Sequence, residues 1–322
     1  MSEYALEAEG LSKSFRGVPA VRDVSFKAPS GGITGFLGPN GAGKTTTLRM
    51  SLGVIAPDAG HVRLFGGPPT MARLDRVGFL PEERGVYRKM TAEAVITLFA
   101  RLKGVPAATA RQRALAYLER FGLGESAHKK IKELSKGMAQ KVQIIAAIAH
   151  EPDFIILDEP FSGLDPVNQQ VLEQMIREQA DQGRTVLFST HVMEHAERLC
   201  DRIVLMARGR KVFDGKVDEA LAVVPRQVTI GIASESDAAP LLAPFGAVER
   251  VADDADGAAV WVVRLHPGSD AQGLLKACVD AGLRLTRFEP LKPHLHDAFV
   301  RLVSDPADAG DIQAVQPQPV EG

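Results

Sequence analysis

The chain has 322 residues, of which 45% are hydrophobic and 24% charged, and its formal net charge is −2. These values are ordinary for a soluble globular protein of one or two domains, and they give no sign of a nucleic-acid partner. Cys200 and Cys278 lie far apart, which indicates a reducing compartment. The sequence shows no signal peptide and no apolar run of about 18 residues, so we expect no membrane crossing by this chain itself.

Two strands are predicted at the start, over residues 3–9 and 20–28, around a turn at residues 16–19. An antiparallel sheet here would supply a wall for the base of a bound nucleotide. Phe15 lies just before the turn. Its ring could belong to the core or stack on adenine, and the residues alone leave both possibilities open.

The next segment, residues 38–45, reads Gly-Pro-Asn-Gly-Ala-Gly-Lys-Thr and fits the phosphate-loop pattern G-x-x-x-x-G-K-[ST]. It follows an apolar strand over residues 33–37 and opens a helix, as the pattern requires. Backbone N–H groups and the helix dipole of such a loop form a cradle for phosphate. Gly41 and Gly43 allow a close backbone approach that a Cβ would obstruct. An ordinary glycine-rich turn is the alternative, and the flanking elements argue against it.

This segment predicts a nucleoside triphosphate site with Mg²⁺. Lys44 can reach the β- and γ-phosphates, and the Thr45 hydroxyl can ligate the metal. The predicted phosphate-binding residues are Asn40, Gly41, Ala42, Gly43, Lys44, Thr45 and Thr46.

Further strands are predicted over residues 60–65 and 76–80, followed by a charged loop over residues 80–89. Residues 92–150 show helical periodicity with a break at residues 104–106. A helical insertion of this length differs from a compact GTPase, in which strands and helices alternate closely. The predicted apolar faces are Ala94, Val95, Leu98, Phe99 and Leu102 in the first helix, and Ala114, Leu115, Leu118 and Phe121 in the second.

A second helix N-terminus that could face phosphate is predicted at residues 134–138, Leu-Ser-Lys-Gly-Met. Ser135 offers a capping side chain, and Gly137 removes the Cβ barrier one step inside. Read alone, the segment is equally well an ordinary capped helix.

Residues 154–160 form a predicted buried parallel strand that ends in two carboxylates, Asp158 and Glu159. Ligands bind at the carboxyl ends of such strands. Because neighbouring side chains of a strand point in opposite directions, we expect different roles for the two. Asp158 is suited to hold Mg²⁺ through water, and Glu159 is suited to polarise an attacking water.

A turn at residues 162–166, a helix over residues 168–181 and a strand over residues 185–189 follow. The strand ends beside His191, which is either structural or a contact for the γ-phosphate. A hairpin with strands over residues 202–207 and 210–214 closes this part of the chain.

Together these motifs resemble the nucleotide-binding subunit of an ATP-binding cassette (ABC) transporter over residues 3–220. The resemblance rests on an ordered set: GPNGAGKT at 38–45, LSKGM at 134–138, FIILDEP at 154–160, SGLD at 162–165, and His191. It implies an α/β fold of the P-loop NTPase class, with a RecA-like core sheet, an antiparallel β subdomain and a helical subdomain over about residues 91–150.

By this likeness two cassettes close head to tail, and each ATP lies between one phosphate loop and the other chain's LSKGM segment. Ser135 and Gly137 would then touch the γ-phosphate across the interface, and Asp165 would connect the two sites. Phe15 would stack on adenine. The implied catalytic residues are Lys44, Glu159 and His191, and the implied metal ligands are Thr45, Glu82 and Asp158.

Two positions depart from the family pattern. Glu82 stands where the family usually has Gln. Its carboxylate can still approach Mg²⁺ or water, but it would repel phosphate. Met138 stands where Gln is commonest, without loss of the donors at Ser135 and Gly137. Since those donors, Glu159 and His191 are all present, a homodimer would have two competent sites, and pairing with a different cassette stays open.

The segments LPEERGVY, LSKGM and Leu295–Phe299 look most like cassettes of the sodium- and drug-export type, whose membrane protein is a separate polypeptide. Residues 226–303 resemble the small domain of unknown role that follows some of those cassettes.

Three regions are predicted: a cassette over residues 1–224, a small α+β domain over residues 225–303, and a disordered tail over residues 304–322. In the small domain, strands over residues 227–233, 247–252, 259–265 and 283–288 and helices over residues 236–245 and 270–281 give the order β-α-β-β-α-β. This order suggests a ferredoxin-like module, and fold alone assigns it no function. A regulatory or dimer-supporting role is a hypothesis.

The sequence therefore predicts an ATPase that hydrolyses MgATP between two cassettes and drives transport, favouring export, through membrane-spanning partner subunits. It would lie at the cytoplasmic face of the membrane, held there by those partners. An import cassette is one alternative. A soluble cassette ATPase acting on ribosomes or DNA is another, disfavoured because the chain has one phosphate loop and no sustained heptads.

Overall fold

The structure, a computed structural model, describes residues 2–82, 87–233, 237–253 and 258–304. Residues 83–86 of the predicted charged loop and residues 305–322 of the predicted disordered tail lie outside this range. The chain divides into two compact units, residues 1–217 and 218–322. The division lies near the boundary between residues 224 and 225 expected from the sequence, and that boundary stays a prediction.

The first unit contains two sheets and seven helices among its described residues. Its strands are β1 (Tyr4–Phe15), β2 (Val18–Pro29), β3 (Ile33–Leu37), β4 (Ala59–Leu64), β5 (Val77–Leu80), β6 (Phe154–Asp158), β7 (Thr185–Thr190), β8 (Arg202–Ala207) and β9 (Arg210–Lys216). Its helices are α1 (Lys44–Ser51), α2 (Met71–Leu74), α3 (Ala92–Leu102), α4 (Ala107–Arg120), α5 (Lys136–Ile148), α6 (Pro166–Asp181) and α7 (Met193–Leu199).

The larger sheet has the order β5-β6-β7-β3-β8-β9, and all neighbours are parallel except β8 and β9. The smaller sheet, β2-β1-β4, is antiparallel. Its first hairpin is tighter than predicted, because only Arg16 and Gly17 form the turn, with φ of 50° and 83°. Two central residues with positive φ match the right-handed strand twist, so both strands extend to the turn.

Strand β6 is buried on both faces, which places the larger sheet in the middle of three layers. Ile155 and Leu157 belong to one core with α3, α4 and α5. Phe154 and Ile156 belong to a second core with α1 and the antiparallel sheet. A continuous apolar strand is what a parallel sheet covered on both faces requires.

The predicted apolar face of α3 is wrong in part. The helix buries Ala92, Val95, Ile96 and Ala100, whereas Leu102 is 69% exposed. The helix packs against α4 and α5, and α4 presents alanines of its own, Ala110 and Ala114. The buried face combines these alanines with the larger Val95, Ile96 and Leu118. Leu115 of α4, also predicted to be buried, is 37% exposed.

The second unit begins within α8 (Val217–Leu221) and holds a four-stranded antiparallel sheet in the order β11-β12-β10-β13. Its elements are β10 (Gln227–Ile232), α9 (Ala239–Leu242), β11 (Gly246–Asp253), β12 (Ala259–Leu265), α10 (Ala271–Asp280), β13 (Leu285–Leu291) and α11 (Leu295–Ser304). They follow the predicted order β-α-β-β-α-β before α11 is added, and the ferredoxin-like assignment stays a prediction.

Two elements of this unit differ from the prediction. Helix α9 has four residues and continues as a 3₁₀ turn over Ala243–Phe245, because Pro244 has no N–H to continue the α-helix. Strand β13 runs beyond residue 288 because Leu291 pairs with Gln227. Within the described residues, no helix has the length and apolar character needed to cross a membrane.

His150, just after α5, makes the stability of the first unit depend on pH. Burial, helped by the nearby charge of Lys103, lowers the pKa of His150 from 6.5 to about 4. A histidine with a depressed pKa stabilises the fold above pH 6.5 and loses that contribution as the pH falls toward 4.

We expect the unfolding free energy of the wild type to fall by about 2 kcal/mol more than that of His150→Gln between pH 6.5 and 4. Urea titrations at several pH values measure this difference. His266→Gln, at an exposed histidine, is the control and should follow the wild type. Parallel curves for His150→Gln and the wild type would contradict the assignment.

Candidate nucleotide-binding site

The phosphate loop joins the end of β3 to the start of α1 in the middle of the larger sheet. Gly41 and Gly43 have φ of 79° and 95°, which confirms the predicted need for glycine conformations. At Gly43 a Cβ would also lie 2.6 Å from the Ala20 carbonyl oxygen. The loop is thus fitted against β2 and cannot widen to accept a side chain there.

A cavity of about 280 Å³ opens over this loop. The structure brings together every phosphate-binding residue predicted from residues 40–46, and adds two carboxylates from separate segments. The lining residues are Ala20, Asn40, Gly41, Ala42, Gly43, Lys44, Thr45, Thr46, Glu82 and Glu159.

The Lys44 ammonium lies buried at the base of the cavity. Its Nζ donates to the Gly38 carbonyl oxygen at 2.7 Å and lies 3.2 Å from Glu159 Oε1. A buried ammonium is tolerated when it is paired and hydrogen-bonded, and both conditions are met here. A phosphate entering the loop would compete with Glu159 for this cation.

Asp158 ends β6 beside the first helical residues of α1. Its Oδ1 accepts hydrogen bonds from Ser189 Oγ at 2.5 Å and Thr45 Oγ1 at 3.3 Å. Its Oδ2 is buried and has no hydrogen-bond partner among the described residues. Burial raises the pKa of this carboxyl, against the lowering effect of those two hydrogen bonds.

These oxygens fit Mg²⁺. Asp158 has one unsatisfied oxygen, Oδ2, and its other oxygen accepts from the Thr45 hydroxyl. Glu82 Oε2 lies 3.4 Å from the same hydroxyl. Mg²⁺ takes only one or two protein oxygens and completes its shell with water and substrate phosphates. The described residues hold no group of three or more His, Cys, Asp or Glu arranged for a metal ion.

Glu159 does not follow the strand alternation expected from the sequence. Strand β6 ends at Asp158, and Glu159 has a φ of 48° in the left-handed region. Its N–H donates to Ser189 Oγ at 2.9 Å, and its Oε2 lies 2.9 Å from His191 Nδ1. The two carboxylates still have different partners: Asp158 contacts Thr45, and Glu159 contacts Lys44 and His191.

The other predicted site residues do not line the cavity. Ser135 caps α5 by accepting from the Met138 N–H at 3.2 Å, and a Cβ on Gly137 would lie 3.0 Å from Asn168 Nδ2. Asp165 caps α6 by accepting from the Asn168 N–H at 2.9 Å, and hydrogen bonds from Asn168 lower its pKa. Phe15 is 46% exposed at the end of β1, so it does not belong to the core.

Two buried residues at this site were missed by the sequence reasoning. Ser189 bridges two consecutive residues: its hydroxyl donates to the Asp158 carboxylate and accepts from the Glu159 backbone N–H. It is the register partner of Asp158 in the neighbouring parallel strand. The position of Ser189 at the end of a predicted strand was a usable signal. Gln140 of α5 donates from Nε2 to the Pro160 carbonyl oxygen just after Glu159. No local pattern marks that residue.

A strand, a glycine-rich loop and a helix N-terminus, with a buried lysine and two carboxylates beside them, define a P-loop nucleotide-binding protein. A family model described as "ABC transporter" matches residues 21–162. The ABC transporter ATP-binding protein YhaQ of Bacillus subtilis is 36% identical over 92% of this chain and 98% of its own length. The Nod factor export ATP-binding protein I of Paraburkholderia xenovorans is 40% identical over 69% of this chain and 74% of its own.

Two solved structures of ABC transporter proteins are similar to this chain. An ATP-binding subunit of an ABC transporter has a TM-score of 0.63 and 32% identity, covering 68% of this chain and 92% of its own. The cbiO1 protein of Clostridium perfringens, part of the ABC transporter complex cbiONQ, has a TM-score of 0.61 and 25% identity, covering 69% and 92%. The chain belongs to the ATP-binding proteins of ABC transporters, which are ATPases.

Burial of the Asp158 charge gives a testable effect on stability. A carboxyl whose pKa is raised in the folded state contributes fully to folding stability at pH values below its ordinary pKa of 3.8. That contribution is lost as the pH rises through the raised pKa. At neutral pH without metal the charge therefore opposes folding.

We expect Asp158→Asn to raise the melting temperature at pH 7 in EDTA, and the gain to shrink as the pH approaches 3.8. Differential scanning fluorimetry over this range measures it. Asp181→Asn, at an exposed helix end, is the control and should leave the melting temperature unchanged. A melting temperature for Asp158→Asn at or below the wild type at pH 7 would be inconsistent with this account.

Proposed function

We propose that this chain binds MgATP and hydrolyses it at a head-to-tail dimer of cassettes, and that this drives export through separate membrane-spanning subunits. One observation carries the dimer. Ser135 caps the start of α5 by accepting from the Met138 N–H, yet no residue of the LSKGM segment lines the cavity over its own phosphate loop. A partner cassette supplies the missing contact.

At each site the phosphate loop, residues 40–46, holds the phosphates with its N–H groups, and Lys44 neutralises charge. Thr45 and Asp158, with Glu82, hold Mg²⁺, which neutralises charge on the phosphates. Glu159 accepts a proton from the attacking water. His191, whose Nδ1 faces Glu159 Oε2 at 2.9 Å, orients that carboxylate and contacts the γ-phosphate.

Across the interface, Ser135 and the N–H of Gly137 contact the γ-phosphate of the partner's nucleotide. The cap formed by Asp165 fixes the adjoining turn, since Asn168 packs beside Gly137. Phe15 stacks on adenine, for which its exposed ring is available.

Export is favoured by the Nod factor export relatives, and partner subunits by the cbiONQ complex to which one structural neighbour belongs. The chain is then held at the cytoplasmic face of the membrane by those subunits. Transport in the import direction would use the same ATPase site with a different partner.

The role of Glu159 predicts that Glu159→Gln retains ATP binding and loses hydrolysis by about 10²-fold or more, because the amide cannot accept the proton. Phosphate release measures turnover, and a fluorescent ATP analogue measures binding. Glu125→Gln, at an exposed glutamate, is the control. Near-normal turnover by Glu159→Gln would remove Glu159 from the role of base.

The dimer is tested by complementation. Lys44→Ala disables a chain's own phosphate loop, and Ser135→Arg disables the contact it would donate to its partner. Each variant alone should be inactive. A mixture should recover up to roughly a quarter of wild-type ATPase activity, because half of the dimers are mixed and each has one intact site. A site built within a single chain would give an inactive mixture.

A further inference from the structure

The backbone that carries Glu159 is held from two sides. Glu159 has a left-handed φ of 48°, a conformation that persists only when its surroundings enforce it. On one side, Ser189 Oγ accepts the Glu159 N–H at 2.9 Å. On the other, Gln140 Nε2 donates to the carbonyl oxygen of Pro160, the next residue. The loop thus depends on β7 and on α5.

Gln140 belongs to a helix with a second function. It is buried, with 3% of its surface exposed, in the second turn of α5. That helix begins at the Ser135 cap and Gly137. In the proposed dimer, its N-terminus contacts the nucleotide of the partner, while Gln140 contacts the loop of Glu159, which acts on this chain's own nucleotide. One rigid helix therefore joins two sites.

The amide of Gln140 is not explained by packing. Its Oε1 is buried and has no hydrogen-bond partner among the described residues. An unpaired buried amide oxygen opposes folding, and an apolar side chain of similar shape would avoid that cost. The opposite placement of the amide would set its oxygen against the Pro160 carbonyl oxygen. The contribution of the amide is therefore the hydrogen bond that Nε2 donates to the Pro160 carbonyl oxygen.

We propose that Gln140 is a positioning residue that couples α5 to Glu159. When the partner's nucleotide contacts the N-terminus of α5, Gln140 sets the position of Glu159 at this chain's own nucleotide. The inference rests on the proposed function. It predicts a defect in turnover without a defect in nucleotide binding or folding.

The test is Gln140→Met, which keeps the length and bulk of the side chain and removes the donor. We expect kcat for ATP to fall about tenfold, KM for ATP to stay within about twofold, and the melting temperature to hold or rise because the unpaired oxygen is gone.

The matched control is Gln143→Met on the same helix. Gln143 is buried, and its side chain makes no hydrogen bond to any described residue. Its kcat should match that of the wild type.

Gln140→Asn is the second variant. It keeps the amide but is one methylene shorter, so it should lower kcat in the same way. Wild-type kcat in both Gln140 variants would overturn the proposal. So would a loss of kcat that only follows a loss of folded protein, since that result assigns Gln140 to structure. If Glu159→Gln is inactive and Gln140→Met is normal, the coupling alone fails; if Glu159→Gln is active, the proposed function fails as well.

Discussion

The candidate site depends on the two hydrogen bonds made by the Ser189 hydroxyl. It donates to Asp158 Oδ1 and accepts from the Glu159 N–H, so it uses both its donor and its acceptor capacity on consecutive residues. This double contact lets β6 end at Asp158 and lets Glu159 turn into a left-handed conformation. Without the turn, strand alternation would direct one of the two carboxylates away from the phosphate loop.

The charges gathered by this turn are not balanced within the chain. Lys44, Asp158 and Glu159 are all buried, and the Lys44 ammonium forms its ion pair with Glu159. Burial already shifts the pKa of Asp158 upward. In the proposed function, a divalent cation would neutralise the Asp158 charge, and the phosphates would bind Lys44. Glu159 would then lose its ion pair with Lys44 when phosphate binds.

The parts of this site that the sequence predicts are those encoded locally. The strand, glycine-rich loop and helix over residues 33–51, and the apolar strand ending at Asp158, each fix their own backbone and end at the same edge of the sheet. The residues that sequence reasoning missed act across the fold. Ser189 and Gln140 reach the same loop from different elements, and the buried face of α3 is set by its packing against α4 and α5. Such contacts depend on tertiary packing, which a periodic pattern along one segment does not specify.

Gly137 shows how one residue serves two constraints. The sequence presents it as a glycine that opens a helix N-terminus to phosphate, and the proposed dimer uses it in that way. The structure adds that a Cβ there would also crowd Asn168, whose N–H is held by Asp165 at the start of α6. The start of α5 therefore packs, through Gly137, against the start of α6. One turn further along, Gln140 of α5 donates a hydrogen bond to Pro160, the residue after Glu159. In the proposed dimer, a helix so attached would not shift toward the partner's nucleotide without moving the backbone that carries Glu159.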